Sequence, residues 1–445
     1  MTAPPSRRSL GFSAALAVVI GNIVGTGVFT TLGFQVQETT DGFALLALWV
    51  IGGLIALAGA FSYAEISAAI GGSGGEYRFL GRIYHPAIGA VAGWVSIGAG
   101  FAAPVAIAAM ALGRYAGPLL GIAPQTLGII AILAATGVHV LAPAIGGRVQ
   151  VAVTALKILL IAAFIVVGLV HAPAAGLSFA PHAETWSVIA SGPFALSLIF
   201  VSYAYSGFNA SAYFQAEVID AERNVPRSLL TGTLMVMVLY VALNWVFLRT
   251  TPTADIAGQV EVGAIVAGHI LGDSGGRIMS GLIAILLVST ISAMTLAGPR
   301  VIEAMAADLP PLRPLAQRSR TGSPSRAVLL QGALALAFML TDSFAGVLTY
   351  AGFTLTLSTA LAVVGVIVLR RREPDLPRPY TVWGYPWTPL FFAAFAVWTM
   401  VIVIRDRPME AVGGAVTLGV AAMLTWLTTE RRDVRSEKGE VRSEK

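Results

Sequence analysis

The sequence predicts an all-α integral membrane protein with about twelve transmembrane helices. Hydrophobic residues make up 56% of its 445 residues and charged residues only 11%, whereas a soluble domain carries about 25% charged residues. The chain also divides into apolar runs of roughly 20 residues, the length that crosses a bilayer. Two of these runs are interrupted by polar residues at their centres. Together these observations argue against a soluble enzyme, a nucleic-acid-binding module and a disordered protein.

The apolar runs end at charged residues or at prolines and glycines, and they define the expected domains. Residues 1–13 are expected to form a cytoplasmic N-terminal segment without a signal-peptide cleavage site. Residues 14–427 are expected to form one transmembrane domain, and the charged residues 428–445 a disordered cytoplasmic tail. The semi-polar stretch 249–277 is expected to form short helices outside the membrane. The predicted spans are 14–34, 42–68, 86–113, 123–142, 148–170, 190–217, 228–248, 277–305, 327–341, 345–369, 387–404 and 409–427.

Lysine and arginine are distributed unevenly between the two sets of alternating loops. One set, together with the two ends of the chain, holds 22 of the 28 cations, and Lys157 lies within a span. Cations accumulate in the cytoplasmic loops of membrane proteins, so both termini are expected in the cytoplasm and the protein in the inner (plasma) membrane of the cell. The net charge of +5 therefore reflects topology rather than a nucleic-acid partner. The five cations of the other set are Arg114, Arg249, Arg277, Arg405 and Arg407.

The first and sixth runs carry glycines and polar residues at their centres. Glycine costs about 1 kcal/mol relative to alanine inside a helix, and non-helical backbone in a membrane needs surrounding protein or a wet cavity. Close packing of Gly21 and Gly25 against another helix is the alternative for the first run. Interruptions at corresponding positions of two halves are typical of transporters built from inverted repeats. The pattern thus predicts a 5+5 inverted repeat with spans 1 and 6 broken and spans 11 and 12 outside the repeat.

Such breaks suit a zwitterionic ligand. A helix N-terminus presents unpaired N–H groups that bind a carboxylate, and a half-helix C-terminus presents carbonyl oxygens that bind an ammonium group. An α-amino acid needs both within one small volume. Glycine has no Cβ, so Gly25 and Gly27 allow a ligand to approach the backbone closely.

Five stretches in this order resemble the amino acid–polyamine–organocation transporter superfamily, with its LeuT-like fold. The bacterial L-amino-acid-transporter-like branch is the most similar. The stretches are GNIVGTGVF, SYAEISAAIGGSGGEYRFLGR, YSGFNASAYFQAEVIDAERNVPRSL, GPRVIEAMAADLPP and RRREPDLPRPYTVWGYPWTP.

The resemblance implies a substrate site at the two breaks. The N–H groups of span 1 would bind the substrate carboxylate, and backbone carbonyls of both spans would accept hydrogen bonds from its ammonium group. Phe208 lies where this branch usually has a bulkier aromatic gate, often tryptophan, and Asn209 matches the family pattern. The implied binding residues are Ile23, Gly25, Thr26, Gly27, Tyr203, Ser206, Phe208 and Asn209.

Lys157 is the one cation deep within a predicted span. A lysine at a helix centre costs about 2.5–3.5 kcal/mol on insertion scales, and its depth argues against snorkelling to the interface. In sodium-independent members of the family, a lysine in the fifth span takes the place of a sodium ion, and Lys157 matches it. Its ammonium group is expected near the carbonyl of Gly21 or Asn22 and near hydroxyls of span 8. The candidate hydroxyls belong to Ser289, Thr290 and Ser292.

Glu65 and Glu217 lie near the cytoplasmic ends of spans 2 and 6. They are expected to pair with Arg78, Arg223 or Arg300 and so close an inner gate, or else to be solvated helix ends. The five histidines have no metal-ligand spacing, so no metal is expected. The motif Gly-x-Ser-x-Gly at 71–75 resembles a hydrolase nucleophile elbow, but it joins two spans, and we expect neither catalytic residues nor a cofactor.

The predicted function is sodium-independent secondary active transport of small to medium neutral L-amino acids by alternating access. Exchange with Lys157 permanently charged and proton symport with Lys157 titrating both remain open. No acidic side chain is expected in the pocket to meet a cationic substrate, which favours neutral ones. Transport of cationic amino acids or polyamines is an alternative. A non-transporting amino acid sensor and a membrane enzyme are the alternatives from other classes. The expected partners are an amino acid, the bilayer and, in a symporter, protons; no obligatory subunit is expected, because the chain has no cysteine for the intersubunit disulfide of animal relatives.

Overall fold

The computed structural model describes residues 10–141, 147–171, 176–320, 322–341 and 343–443, and these residues form helices and connecting loops without any strand. Among these residues, ten helices are long and apolar enough to cross a membrane, and two shorter apolar helices, Gly192–Ala204 and Ser325–Met339, complete a set of twelve. The prediction of about twelve spans is thereby confirmed. Spans 6 and 9 are the two shorter helices. The ten long ones are Phe12–Thr30, Gly42–Ile70, Pro86–Leu120, Pro124–Leu141, Val151–Val170, Ala221–Thr250, Val262–Asp308, Phe344–Arg372, Trp387–Asp406 and Pro408–Thr428.

Spans 1 and 6 are broken where the sequence predicts it. Span 1 consists of the helices Phe12–Ile23 and Gly27–Thr30, separated by non-helical residues 24–26, and a further helix, Leu32–Glu38, follows. In span 6 the helix Gly192–Ala204 is followed by turns at 205–209 and the short helix Ala210–Tyr213.

Several other helices are irregular. Span 3 contains a π-helical segment, Ser96–Ala102, and the helix Val262–Asp308 is kinked at Gly272, whose φ is 73°. Residues 262–271 thus form a separate helix, as expected for the stretch 249–277, and span 8 begins after Gly272. The connecting helices are Gly75–Ile83, Thr185–Ile189, Gln215–Glu217, Thr253–Ile256, Pro310–Leu312 and Arg313–Ala316.

The spans pack as two groups. Span 2 lies against span 7, and span 7 packs along the first helix of span 1; spans 3, 4, 8 and 9 pack against one another. We call spans 1, 2, 6 and 7 the bundle and spans 3, 4, 8 and 9 the scaffold. We call the end of the molecule that carries Arg78, Arg300 and Arg370 the arginine-rich end.

The two ends of the chain are described in part. Residues 1–9 of the predicted N-terminal segment lie outside the described residues. The last helix, Pro408–Ser443, continues into the segment for which the sequence predicts a disordered tail. The division of the chain at residues 13 and 427 stays a prediction.

Candidate functional site

A cavity of about 870 Å³ lies between the two broken spans and continues to the arginine-rich end. Thr26 and Phe208 line its deep part, and Glu217, Arg300 and Arg318 line its mouth. All eight residues predicted to bind substrate therefore line one cavity.

The opposite end of the cavity is closed by hydrogen bonds to the second half of span 1 and to the helix Leu32–Glu38 that follows it. The Tyr115 hydroxyl on span 3 donates to the Phe29 carbonyl at 2.8 Å and accepts from the Gly263 N–H at 3.2 Å. The Gly258 N–H donates to the Gly33 carbonyl at 2.8 Å. Access to the cavity is therefore from the arginine-rich end.

The break in span 1 leaves backbone donors facing the cavity. The Gly25 N–H is already bonded to the Ile23 carbonyl at 2.8 Å. The N–H groups of Thr26 and Gly27 have no acceptor among the described residues, and both residues line the cavity. A Cβ on Gly27 would lie 2.5 Å from the Cα of Ala204, so glycine is required where spans 1 and 6 touch. Two unpaired N–H groups at this depth suit a carboxylate.

The predicted ammonium-binding carbonyls differ in their availability. The Ile23 carbonyl accepts from both the Gly25 N–H and the Tyr240 hydroxyl, each at 2.8 Å, which occupies its two lone pairs. The Tyr203 carbonyl accepts from the Ser206 N–H at 2.9 Å, and the Ser206 carbonyl has no donor among the described residues. The sequence did not reveal Tyr240, because it lies on span 7, far from either break in the chain.

Phe208 forms part of the cavity wall. Its ring is 8% exposed and packs edge-to-face on Tyr63, with the centroids 5.7 Å apart. On its other side lies a smaller cavity of about 50 Å³, which Ser202, Thr356 and Phe392 help to line. The ring thus separates two cavities.

Lys157 connects the first break to the scaffold. Its side chain is 2% exposed, and its Nζ donates to the Val24 carbonyl at 3.0 Å, to the Gly21 carbonyl at 3.5 Å and to the Thr290 hydroxyl at 3.1 Å. No carboxylate of the described residues lies within ion-pair distance of Nζ. Its positive charge is therefore met by neutral oxygen atoms alone.

The other expected partners of Lys157 lie elsewhere. The carbonyl of Val24, which the sequence analysis did not name, takes the place expected for that of Asn22. Ser292 is hydrogen-bonded to His139 at 2.9 Å, and Ser289 makes no hydrogen bond to Lys157 within the described part of the chain. Of the three candidate hydroxyls, only Thr290 meets the lysine, because its position in span 8 turns it towards the break in span 1.

The expected pairing of Glu65 is wrong. Glu65 is 1% exposed and accepts two hydrogen bonds from Arg370, at 2.8 and 2.6 Å, together with one from the Val382 N–H at 2.7 Å. Arg378 lies 3.5 Å away. None of Arg78, Arg223 and Arg300 contacts it, because the linker after span 10 folds over the end of span 2. Glu65 therefore fixes this linker and is not exposed at the cavity mouth.

Glu217 does lie at the mouth of the cavity. It is 3.7 Å from Arg300, one of the three arginines proposed for it. The Arg300 guanidinium also stacks on the Phe214 ring, 4.3 Å from the centroid.

Glu76 is a cavity residue that the sequence analysis missed. Its side chain is 4% exposed, and its Oε1 accepts hydrogen bonds from the Tyr63 hydroxyl at 2.6 Å and from the Asn209 amide at 2.8 Å. The Tyr213 hydroxyl donates to Oε2. The expectation that no acidic side chain lies in the pocket is therefore wrong, because the short helix Gly75–Ile83 turns Glu76 inward from a segment that reads as a polar loop. This arrangement also gives Asn209 a protein partner that the sequence did not predict.

Within the described residues, no three His, Asp or Glu side chains gather as metal ligands do. The chemistry available in the cavity is hydrogen bonding to free N–H and carbonyl groups, with a buried ammonium group and a buried carboxylate beside it.

Comparisons with known proteins agree with this architecture. The family model described as amino acid permease matches residues 10–426. The serine/threonine exchanger SteT of Bacillus subtilis (strain 168) is 28% identical over 440 residues, covering 96% of this chain and 98% of the relative. The human large neutral amino acids transporter small subunit 2 is 25% identical over 432 residues (94% and 79%), and the human b(0,+)-type amino acid transporter 1 is 25% identical over 384 residues (84% and 79%).

A match over nearly the whole chain, two broken spans and a shared cavity between them lead to one conclusion. The chain belongs to the amino acid permease family of the amino acid–polyamine–organocation superfamily and is a multi-pass membrane transporter of amino acids.

Proposed function

We propose that the protein is a sodium-independent transporter of small to medium neutral L-amino acids that works by alternating access. The observation that carries the proposal is the ammonium group of Lys157, held by the Gly21 and Val24 carbonyls and the Thr290 hydroxyl. Oxygen atoms are the ligands of hard cations, and carbonyls of an unwound span coordinate sodium in transporters with broken helices. Because the lysine already fills this position with a positive charge, a sodium ion is excluded by sterics and by like-charge repulsion.

We propose that the substrate carboxylate binds the free N–H groups of Thr26 and Gly27, with Gly25 beside them. We assign the ammonium group to the carbonyls of Ser206 and Tyr203. Ile23, implied by the family resemblance, is the weaker acceptor here because Tyr240 occupies its remaining lone pair.

The surroundings of the site favour neutral side chains. Glu76 accepts three hydrogen bonds from protein groups. Its carboxylate oxygens therefore already have donors, and a cationic substrate side chain would have to displace one of them. The Phe208 ring limits the space beside the substrate. The relatives include proteins named as a serine/threonine exchanger and a large neutral amino acids transporter, which supports the same substrate class.

We infer that the arginine-rich end faces the cytoplasm, because cations accumulate on that side, and that the membrane is the plasma membrane. The cavity opens at this end, so the structure represents the inward-open state under this orientation. Transport then requires the bundle to rock against the scaffold until the cavity opens at the other end.

Exchange is the preferred mode, since a relative is named an exchanger. Proton symport is the second candidate. We infer no enzymatic activity.

We also infer no obligatory partner subunit, because the 445 residues contain no cysteine for an intersubunit disulfide. A sensor, the alternative from another class, would bind the amino acid without showing counterflow.

Counterflow into proteoliposomes tests the proposal. Vesicles loaded with unlabelled serine, alanine or leucine should accumulate the labelled amino acid, and replacing sodium by choline should leave the rate unchanged. Labelled arginine should serve as the poorly transported control, and an imposed pH gradient separates symport from exchange. A rate that requires sodium would contradict the proposal, as would the absence of uptake under every gradient.

A further inference from the structure

We propose that Glu76 is a positioning residue that holds the moving bundle to the scaffold in the inward-open state. The inference rests on the alternating access proposed above and concerns how the site is opened rather than what it binds. Three parts of the geometry support it: the attachment of Glu76, the origin of its donors, and the chain segment that connects them.

The helix Gly75–Ile83, which carries Glu76, is attached to the scaffold. It packs along the first part of span 3. The Tyr77 hydroxyl, next to Glu76, donates to the Asp308 carboxylate at the end of span 8, at 2.7 Å. Glu76 is thus fixed to two scaffold spans from outside the membrane-crossing bundle.

All three donors to Glu76 come from the bundle. Tyr63 belongs to span 2. Asn209 precedes the short helix Ala210–Tyr213, which continues span 6 beyond its break, and Tyr213 is the last residue of that helix. The carboxylate therefore joins the arginine-rich half of span 6 to the scaffold, directly beside the substrate cavity that Asn209 and Tyr213 also line.

The burial of Glu76 strengthens its three hydrogen bonds to the bundle and makes them form or break together. Its side chain is 4% exposed, and no cation of the described residues forms an ion pair with it. A carboxylate is an acceptor alone, and hydrogen bonds to it are roughly twice as strong as neutral ones. A buried acceptor that loses its donors incurs a desolvation cost, so the three bonds either persist together or break together when the bundle leaves the inward-open position.

A glycine segment allows the two parts to move relative to each other. Residues 71, 72, 74 and 75 between span 2 and the helix Gly75–Ile83 are glycines with φ between 55° and 124°. A Cβ on Gly75 would lie 2.2 Å from the Tyr213 ring, so the junction is closely packed as well as hydrogen-bonded. Because glycine adopts many backbone angles, this segment can change conformation so that the bundle moves and its hydrogen bonds to Glu76 break.

Thiol labelling measures the predicted shift without any transport assay. Because the chain has no cysteine, Ala297→Cys on the cavity wall gives a single reporter of the inward-open state. We expect Glu76→Gln to slow maleimide labelling of this cysteine by about tenfold in the purified protein, because a neutral amide holds the donors less strongly. Tyr213→Phe, which removes one donor, should slow it by about two- to threefold.

Two controls separate a change of state from a change of fold. Glu303→Gln removes an acidic group of the same cavity that pairs with Arg318 near the mouth, and it should leave the labelling rate unchanged. Ser187→Cys, at an exposed position of the short helix Thr185–Ile189 at the other end, should label equally in all variants. If Glu76→Gln does not fold, the Tyr213→Phe variant carries the test.

The outcomes distinguish this inference from the proposed function. Slower labelling in Glu76→Gln or Tyr213→Phe supports the role of Glu76 even if counterflow detects no neutral amino acid, in which case the proposed function alone fails. Unchanged or faster labelling in a folded variant overturns the role of Glu76, whatever counterflow shows. Within a transporting protein, Glu76→Gln should also raise the KM measured from the arginine-rich end more than it lowers kcat.

Discussion

Lys157 and Glu65 are both buried charges, yet their surroundings differ completely. Glu65 is 1% exposed and meets two guanidinium groups and a backbone N–H at the edge of the bundle. Lys157 is 2% exposed and lies beside the break in span 1, where its partners among the described residues are two carbonyls and a hydroxyl. One charge is compensated by opposite charges, and the other by neutral dipoles.

The difference indicates what each charge does. A buried ion pair is strongly destabilising to break, because removal of one partner leaves the other charge uncompensated. A lone cation in a membrane is costly to retain and marks a functional site by default. We therefore expect Glu65 to matter for folding and Lys157 to matter for transport.

The largest effect should come from breaking the ion pair of Glu65. Glu65→Ala leaves Arg370 and Arg378 without a counterion, and we expect a loss of about 3–5 kcal/mol in stability, measured as unfolding in detergent. Glu373→Gln is the matched control: its ion pair with Arg82 is exposed and should contribute less than about 1 kcal/mol. Equal losses in the two variants would contradict the structural role of Glu65.

Lys157→Ala should abolish transport with little change in stability. We expect counterflow to fall by at least about 100-fold, while the unfolding temperature stays near that of the unaltered protein because the desolvation cost of about 2.5–3.5 kcal/mol is also removed. If Lys157→Ala were as unstable as Glu65→Ala but transported at the normal rate, Lys157 would serve stability rather than transport, and the proposed difference between the two charges would be wrong.

Two hydroxyl groups of span 8 test whether Lys157 acts through its contact with this span. Thr290 bonds to the lysine, whereas Ser292, two residues further along, bonds to His139. We expect Thr290→Val to reduce counterflow by about tenfold, the worth of one hydrogen bond to a charged group, and Ser292→Ala to reduce it less than twofold. The reverse order would mean that the lysine acts through a different contact.

Asp41 offers a third charge, at the start of span 2, with the smallest expected effect. Burial alone would raise its pKa, but hydrogen bonds from Thr185 and the Ala44 N–H and the nearby His182 together lower it. A lowered folded-state pKa means that the stabilisation is present above about pH 4 and is lost as the pH falls through the folded-state value. We expect Asp41→Ala to cost about 1 kcal/mol at pH 7 and clearly less at pH 3, measured by unfolding at both pH values. A cost independent of pH would argue that the cap acts without its charge.

Local patterns in the sequence predicted much of the site. Glycines and polar residues at the centres of two apolar runs located both breaks, and the depth of Lys157 in its run marked it as unusual. Pairings between distant residues were not predictable in this way. Glu65 and its partner Arg370 are 305 residues apart, and no local pattern links them. The sequence therefore favoured arginines nearer the proposed gate, and that prediction is wrong.

Glu76 is a second residue whose contacts the local sequence pattern could not predict. It reads as an ordinary charged residue in a polar loop, next to glycines and an arginine. Only the folding of Gly75–Ile83 under the broken span 6 brings Tyr63, Asn209 and Tyr213 to it.

The sequence by itself determined the membrane class, the number of spans and the positions of the breaks, because bilayer thickness and backbone hydrogen bonding impose these requirements along the chain. The tertiary structure decided which oxygen atoms surround Lys157, which charges Glu65 meets and which end of the cavity is open. These depend on the packing of helices in three dimensions, where side chains distant in sequence compensate one another's charges and hydrogen-bonding groups.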